Sequence, residues 1–201
     1  KEKIKIYMRI LILNWRDPKN PNAGGAEKLN QQILKPFIDS GNSVIWYAAE
    51  AQGLPNYEKF NNIEIIRYGN LLTHFLAFPF MLLLHKFGKV DLIIDCIHGV
   101  GYYSSLFAPR TRKYILICEV AQNIWDEMFR FPMNRIGRFF EKINFIVYRN
   151  NSFWTISQST RSDLVRHGIS DNQITVLPMG FDSINFSKSL RKFPTPSALF
   201  V

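Results

Sequence analysis

The sequence predicts an α/β fold, a doubly wound, mostly parallel sheet of about seven strands with a Rossmann-like outline. Three observations predict it. Short runs that are apolar on successive residues alternate with longer helical stretches along the 201 residues, as strands buried on both faces and joined by helical crossovers should. A double glycine, Gly24-Gly25, stands between the first such run and the first helical stretch. The chain is 47% hydrophobic, with enough length for one sizeable core and too little for two full α/β domains.

The strands are expected at 8–13 (Met-Arg-Ile-Leu-Ile-Leu), 43–48 (Ser-Val-Ile-Trp-Tyr-Ala), 63–67 (Ile-Glu-Ile-Ile-Arg), 90–95 (Val-Asp-Leu-Ile-Ile-Asp), 113–117 (Lys-Tyr-Ile-Leu-Ile), 152–156 (Ser-Phe-Trp-Thr-Ile) and 174–177 (Ile-Thr-Val-Leu). Several are apolar on successive residues, as strands buried on both faces should be. Helices are expected at 25–40, 70–87, 101–107, 134–149 and 159–167. Gly41 stops the first and Gly168 the last, because glycine takes the left-handed conformation that ends a helix. Ser157-Gln158-Ser159-Thr160 supplies several candidate capping residues for the last helix. Residues 1–182 form one domain in this reading. Residues 183–196, with Lys188, Arg191, Lys192, Pro194 and Pro196, read as a linker, and 197–201 as the first strand of a second domain cut short.

The formal net charge is +9, from 25 Lys+Arg against 16 Asp+Glu. Residues 1–100 carry 12 basic and 9 acidic residues, and 101–201 carry 13 and 7, so the excess lies mainly in the second half. A basic balance favours anionic partners, such as phosphorylated small molecules or an anionic membrane surface. Nucleic acid is not expected, since no helix-turn-helix, zinc finger or single-strand-binding motif is present. The two cysteines, Cys96 and Cys118, fit no zinc motif and no disulfide scaffold. No signal peptide is expected, because the charged start Lys1-Glu2-Lys3-Ile4-Lys5 lacks an apolar stretch, and no membrane span, because the most apolar segment, Leu71 to Leu84, is short and contains Pro79. The expected location is cytoplasmic, with peripheral attachment to the inner face of the membrane as a further expectation. The segment Phe129 to Asn150 carries Arg130, Arg135, Arg138, Lys142 and Arg149. Its Phe139, Phe140, Ile143, Ile146 and Val147 recur at helical spacing, and this stripe is expected to bury itself on the sheet while the charges face water or lipid headgroups.

In an open parallel sheet, ligands bind beyond the carboxyl ends of the strands. The candidates are therefore the residues that follow strands: Asn14, Gly24 and Gly25 after the first, Glu50 after the second, Cys96 and His98 after the fourth, Cys118 and Glu119 after the fifth, Ser157 and Ser159 after the sixth, and Gly180 after the last. Gly24-Gly25 at a helix start leaves backbone N–H groups open for a phosphate. The ten-residue loop before it is too long for a dinucleotide fingerprint, and no Lys-Ser/Thr follows for a Walker A loop. Glu50 stands where a dinucleotide site holds the ribose, which keeps a nucleotide-binding oxidoreductase as an alternative. His74 and His85, in the apolar helix, are expected at its interface. Cys96 and Cys118 fall on one rim if their strands are neighbours. No metal is required, and no Asp-x-Asp motif occurs.

Three stretches together resemble the N-terminal domain of retaining GT-B glycosyltransferases of family 4. They are Met8 to Asp17 followed by Ala23-Gly-Gly-Ala-Glu27; Asp91-Leu-Ile-Ile-Asp95 with Tyr114-Ile-Leu-Ile-Cys-Glu119; and Thr155 to Leu164 running through Gly168-Ile169 to Ile174-Thr-Val-Leu-Pro-Met-Gly-Phe-Asp182. The resemblance implies two Rossmann-like domains with a nucleotide-sugar between them and no permanently bound cofactor. This chain would be the acceptor-side half, its acceptor a saccharide or lipid-linked saccharide of the cell envelope. Gly24, Gly25 and Asn14 would approach the donor diphosphate or the acceptor. Family members often have a histidine after the fifth strand, where this chain has Cys118 beside the retained carboxylate of Glu119. The resemblance then makes Cys118, Glu119 and His98 the catalytic candidates, and Cys96, Ser157, Ser159 and Gly180 the rim of the cleft. A membrane or interaction module without strong catalysis is a further alternative, motivated by Cys118 and the basic helix.

Overall fold

The computed structural model describes residues 7–180. The expected linker at 183–196, the strand start at 197–201 and Asp182 lie outside the described residues. One mixed sheet organises the rest. Its strands are β1 (Arg9–Leu13), β2 (Ser43–Ala48), β3 (Tyr57–Phe60), β4 (Ile63–Arg67), β5 (Leu92–Ile97), β6 (Arg112–Ile117), β7 (Ser152–Thr155) and β8 (Ile174–Val176). They lie in the order β3-β4-β2-β1-β5-β6-β7-β8. Every pairing is parallel except β3 with β4. The helices are α1 (Gly25–Asp39), α2 (Thr73–Leu83), α3 (Ser104–Phe107), α4 (Ile124–Met128), α5 (Met133–Tyr148) and α6 (Gln158–Arg166). The fold is α/β and Rossmann-like, as expected.

The central strands are covered on both faces, which is why they read as unbroken apolar runs. Ile10, Leu11, Ile12 and Leu13 are all buried, and so are Val44 to Ala48 and Leu92 to Ile97. At roughly 25 cal/mol per Å² of apolar surface removed from water, these three strands form the main hydrophobic investment of the domain. Gly41 and Gly168 end α1 and α6 with φ of 89° and 87°. Ser157 caps α6, its hydroxyl accepting the Thr160 N–H at 3.2 Å.

The eighth strand, β3, was not expected. It is short and charged, Tyr-Glu-Lys-Phe, and pairs with β4 as an edge hairpin across Asn61-Asn62. Both asparagines have positive φ, 49° and 62°, the conformation of a tight two-residue hairpin turn.

The buried face of α5 also differs from expectation. Gly137, Glu141, Asn144, Phe145 and Tyr148 face inward, whereas Phe139 and Ile146 are 61% and 69% exposed. The inward polar groups are satisfied by the loops that follow β5 and β6. Glu141 accepts the N–H groups of Ala121 and Gln122 at 2.7 and 3.0 Å. Asn144 donates to the Gly99 carbonyl at 2.8 Å and accepts from Gly101 at 3.1 Å. The Tyr148 hydroxyl donates to the buried Asp95 carboxylate at 2.5 Å. Pairing with backbone groups makes burial of these side chains favourable, and it displaces the purely apolar stripe to the outside.

His74 is a core residue rather than an interfacial one. It is fully buried, with ring centroids of Phe75 and Tyr102 at 4.0 and 5.4 Å. Its Nδ1 lies 3.0 Å from the Asn70 carbonyl, and Nε2 has no hydrogen-bond partner among the described residues. Burial lowers its pKa to about 4, because a second proton would put an unpaired N–H⁺ among aromatic rings. The unfolded chain binds that proton near pH 6.5 and the folded chain only near 4. This contribution to stability is therefore complete above pH 6.5 and is lost as the pH falls toward 4, on the order of 3 kcal/mol at about 1.4 kcal/mol per pKa unit. Denaturant melts at pH 7.5 and 5 should show the loss, and His74→Gln should shrink it. A residual slope should remain, since the His98 pKa is lowered as well and acts with the same sign.

Candidate functional site

The sheet order reverses between β1 and β5, which run side by side from one crossover to the other. Beyond their carboxyl ends lies the crevice in which such sheets bind ligands. A cleft of about 620 Å³ opens there, among whose lining residues are Trp15, Gly25, His98, Cys118, Glu119 and Trp125. Ligand sites typically enclose about 300–1,000 Å³.

The loop after β1 is held from below. The amide of buried Asn14 donates to the Arg16 carbonyl at 3.0 Å and to Glu27 at 3.1 Å. The other Glu27 oxygen accepts the Gly24 N–H at 2.6 Å. One of the open donors expected at the double glycine is thus taken by a carboxylate from within α1, the reach-back half of a capping box. Gly25 and Ala26 line the cleft directly, and the first-turn N–H groups of a helix have no intrahelical acceptor. Arg16 lays its guanidinium over the Trp15 ring, 3.9 Å from the centroid, and donates to the Asn22 carbonyl at 2.8 Å, which fixes the indole that lines the cleft.

β5 and β6 are neighbours, so the loops carrying His98 and Cys118 are adjacent. His98 presents a face to the cleft with Trp15 at 6.0 Å between centroids. The protein around its other face desolvates it and lowers its pKa, an effect reinforced by Arg16 and opposed by Glu27. Cys118 lines the cleft. Its thiol is pushed up by burial and by the negative charges of Glu119 and Glu27, so it stays protonated at neutral pH and is not an activated nucleophile. The Thr160 hydroxyl donates to the Cys118 carbonyl at 2.9 Å, which ties the start of α6 to this loop.

The remaining candidates are more scattered. Cys96 is buried in β5, its thiol against the Asn30 amide at 3.5 Å, and it lines a second cavity rather than the cleft. Ser157 is occupied as a cap and bonded to Ser159 at 2.9 Å. Gly180 follows Met179, which does line the cleft. Glu50 does not line it. Its backbone N–H bonds to Gly69 at 2.8 Å and its carboxylate to Asn56 at 3.4 Å. Among the described residues no cluster of three or more His, Cys, Asp or Glu side chains is arranged to hold a metal ion.

Trp125 was not anticipated. It lies on α4, a five-residue helix, and its indole is pressed between two glycines from different elements. A Cβ on Gly137 would meet the ring at 2.2 Å, and one on Gly99 would meet it at 2.7 Å. The ring forms part of the wall of both cavities. Gly137→Val should expel it, at a cost of about 1–3 kcal/mol. Thermal denaturation and the near-ultraviolet signal of the indole would register the change. An unaltered signal would mean that the ring is not held by this contact.

Comparison with protein-family models finds no match, and neither does comparison with curated protein sequences. Among solved structures, a sucrose-phosphate synthase from Thermosynechococcus elongatus aligns with a TM-score of 0.62 at 13% identity, over 87% of this chain and 49% of that one. The chain therefore spans about half the length of that protein. At this identity the likeness establishes the fold.

Proposed function

We propose that the chain is the acceptor-side half of a glycosyltransferase, which moves a sugar from a nucleotide-sugar to a saccharide acceptor with retention at the anomeric carbon. The acceptor would be a cell-envelope glycan or a lipid-linked saccharide, met at the cytoplasmic face of the membrane. The observation that carries the reading is the meeting, in one cleft at the switch in strand order, of the first turn of α1 with the loops after β5 and β6. The fold likeness to a sucrose-phosphate synthase is in keeping with it.

In the reaction the bond from the anomeric carbon to the diphosphate breaks and its electron pair goes to the diphosphate oxygen. The N–H groups of Gly25 and Ala26, at the positive end of a helix, would stabilise it. The acceptor hydroxyl bonds to the same face of that carbon, and its proton passes to a diphosphate oxygen or to Glu119. Trp15 and Trp125 offer flat apolar faces for a sugar ring. Cys118, protonated, contributes shape and a weak donor where the resembling family often has histidine.

The test is a thermal-shift panel on the full-length protein. Nucleotide-sugars and nucleoside diphosphates should stabilise it while NAD and NADP leave it unchanged. The reverse pattern would favour the oxidoreductase reading. The isolated 201 residues should turn over no nucleotide-sugar, because the second wall of the cleft is supplied by a further domain.

A further inference from the structure

We infer that a basic trough along the outer side of α5 binds the chain of an anionic glycan acceptor, one whose sugars carry carboxylate, sulfate or phosphate groups; this rests on the sugar-transfer reading above. Two adjoining hollows of about 370 Å³ each make up the trough, and Lys142 and His167 line both. Arg135 lies in the hollow toward α4, and Arg149 in the hollow toward the end of α6. On α5 the three cations recur every seventh residue. That interval keeps them on one stripe of the helix and spaces them by about 10.5 Å. Over the roughly 21 Å from Arg135 to Arg149 no single small anion meets all three, whereas a chain with repeated charges does.

Their charge is not spent inside the fold. All three side chains are exposed, and among the described residues no hydrogen bond or ion pair engages them. The carboxylates nearby are engaged elsewhere. Glu141 gives its two oxygens to the N–H groups of Ala121 and Gln122, and Asp126 pairs with Arg138. Arg135, Arg138, Lys142 and Arg149 thus line the hollows against one carboxylate, Glu141. A surface of this kind attracts anions.

The lining between the charges suits sugar rings. Phe139 and Ile146 are 61% and 69% exposed, and each lines one of the hollows. The His167 imidazole stacks on Phe145 with centroids 4.4 Å apart. Flat and aliphatic surfaces of this kind pack on the C–H faces of a saccharide. Continuity with the cleft makes that saccharide the acceptor. Ala121 lines the cleft, and the next two residues, Gln122 and Asn123, line the trough. Glu141 fastens this loop to α5, so the two sites keep a fixed relation. A glycan whose end is held in the cleft continues over the loop and along the cations.

The experiment is calorimetric titration of the 201-residue chain with a hexamer of galacturonic acid, with a neutral hexamer of glucose as comparator. At low salt the acidic hexamer should bind at least roughly tenfold more tightly, and the preference should shrink as salt is added. Lys142→Gln, at an exposed position common to both hollows, should weaken binding about threefold, and replacing Arg135, Lys142 and Arg149 together should weaken it at least roughly tenfold. Lys59→Gln makes the same change of charge on the edge strand β3 and should leave binding unaltered. An equal loss in Lys59→Gln and Lys142→Gln would overturn the trough, leaving only the general attraction of a basic protein. Equal affinity for the neutral hexamer would overturn recognition of charge, and tighter binding of a thymidylate hexamer would assign the stripe to nucleic acid. Nucleotide-sugar binding by the full-length protein, measured separately, distinguishes failure of this inference from failure of the reading beneath it. Acidic-glycan binding in a protein that binds no nucleotide-sugar would remove the acceptor role.

Discussion

Asp17→Ala is expected to destabilise the domain by about 3 kcal/mol, measured by guanidinium denaturation, because it removes the fully buried, two-pronged partner of a buried guanidinium and leaves it only Glu58. Arg67 is fully buried at the end of β4 and donates through Nε and one terminal nitrogen to both oxygens of Asp17, at 2.6 and 2.7 Å. Its other contacts are the Pro55 carbonyl at 2.7 Å and Glu58, which Lys19 also engages. A two-pronged contact of this geometry is a strong charge-assisted hydrogen bond. Removing Arg67 strands Asp17 in a low-dielectric interior, and removing Asp17 leaves the guanidinium a single carboxylate, Glu58. Arg67→Ala should cost a similar amount, and the double variant should cost much less than the sum. Additive losses would mean that the two side chains are not coupled. The consequence reaches the site, since Asp17 anchors the loop that carries Trp15 to the cleft.

Gly25→Val is expected to do the opposite: to leave stability within about 1 kcal/mol and reduce sugar transfer by the full-length protein roughly 100-fold. A Cβ on Gly25 would meet nothing within 4 Å, so the fold does not require glycine there. The open space is the cleft itself. On the proposed reading, a branched side chain would stand where a donor diphosphate would approach the first turn of α1. Wild-type turnover in this variant would remove the double glycine from the binding surface.

How far the sequence could be read follows the physics of each element. Strands β1, β2 and β5 were legible because burial on both faces makes most of their successive residues apolar, Asp95 of β5 being the buried exception. β3 was not, since an exposed edge carrying Glu58 and Lys59 has no apolar pattern. Its only signal was the turn-forming pair Asn61-Asn62. α4 is five residues long with no side-chain cap at Asn123, so neither periodicity nor capping marked it. The wrong face of α5 was chosen because polar residues read as outward-facing. Glu141, Asn144 and Tyr148 sit at helical spacing and point inward, and what they bind, loop backbone groups and the Asp95 carboxylate, is distant in sequence. In the site, the strand-end rule brought Gly25, His98, Cys118 and Glu119 to one cleft. Glu27 and Trp125 escaped it. The first works from within a helix, and the second is placed by two glycines whose relation to it exists only in three dimensions.

Transfer by the full-length protein is the most direct test of the central claim. It should be incubated with a panel of nucleotide-sugars and saccharide acceptors, and the anomeric configuration of any product read by NMR. The account predicts a glycoside with the donor's configuration, formed by the wild type and nearly lost in Gly25→Val. An inverted product, or no transfer from any donor by a protein that binds NAD or NADP tightly, would contradict it.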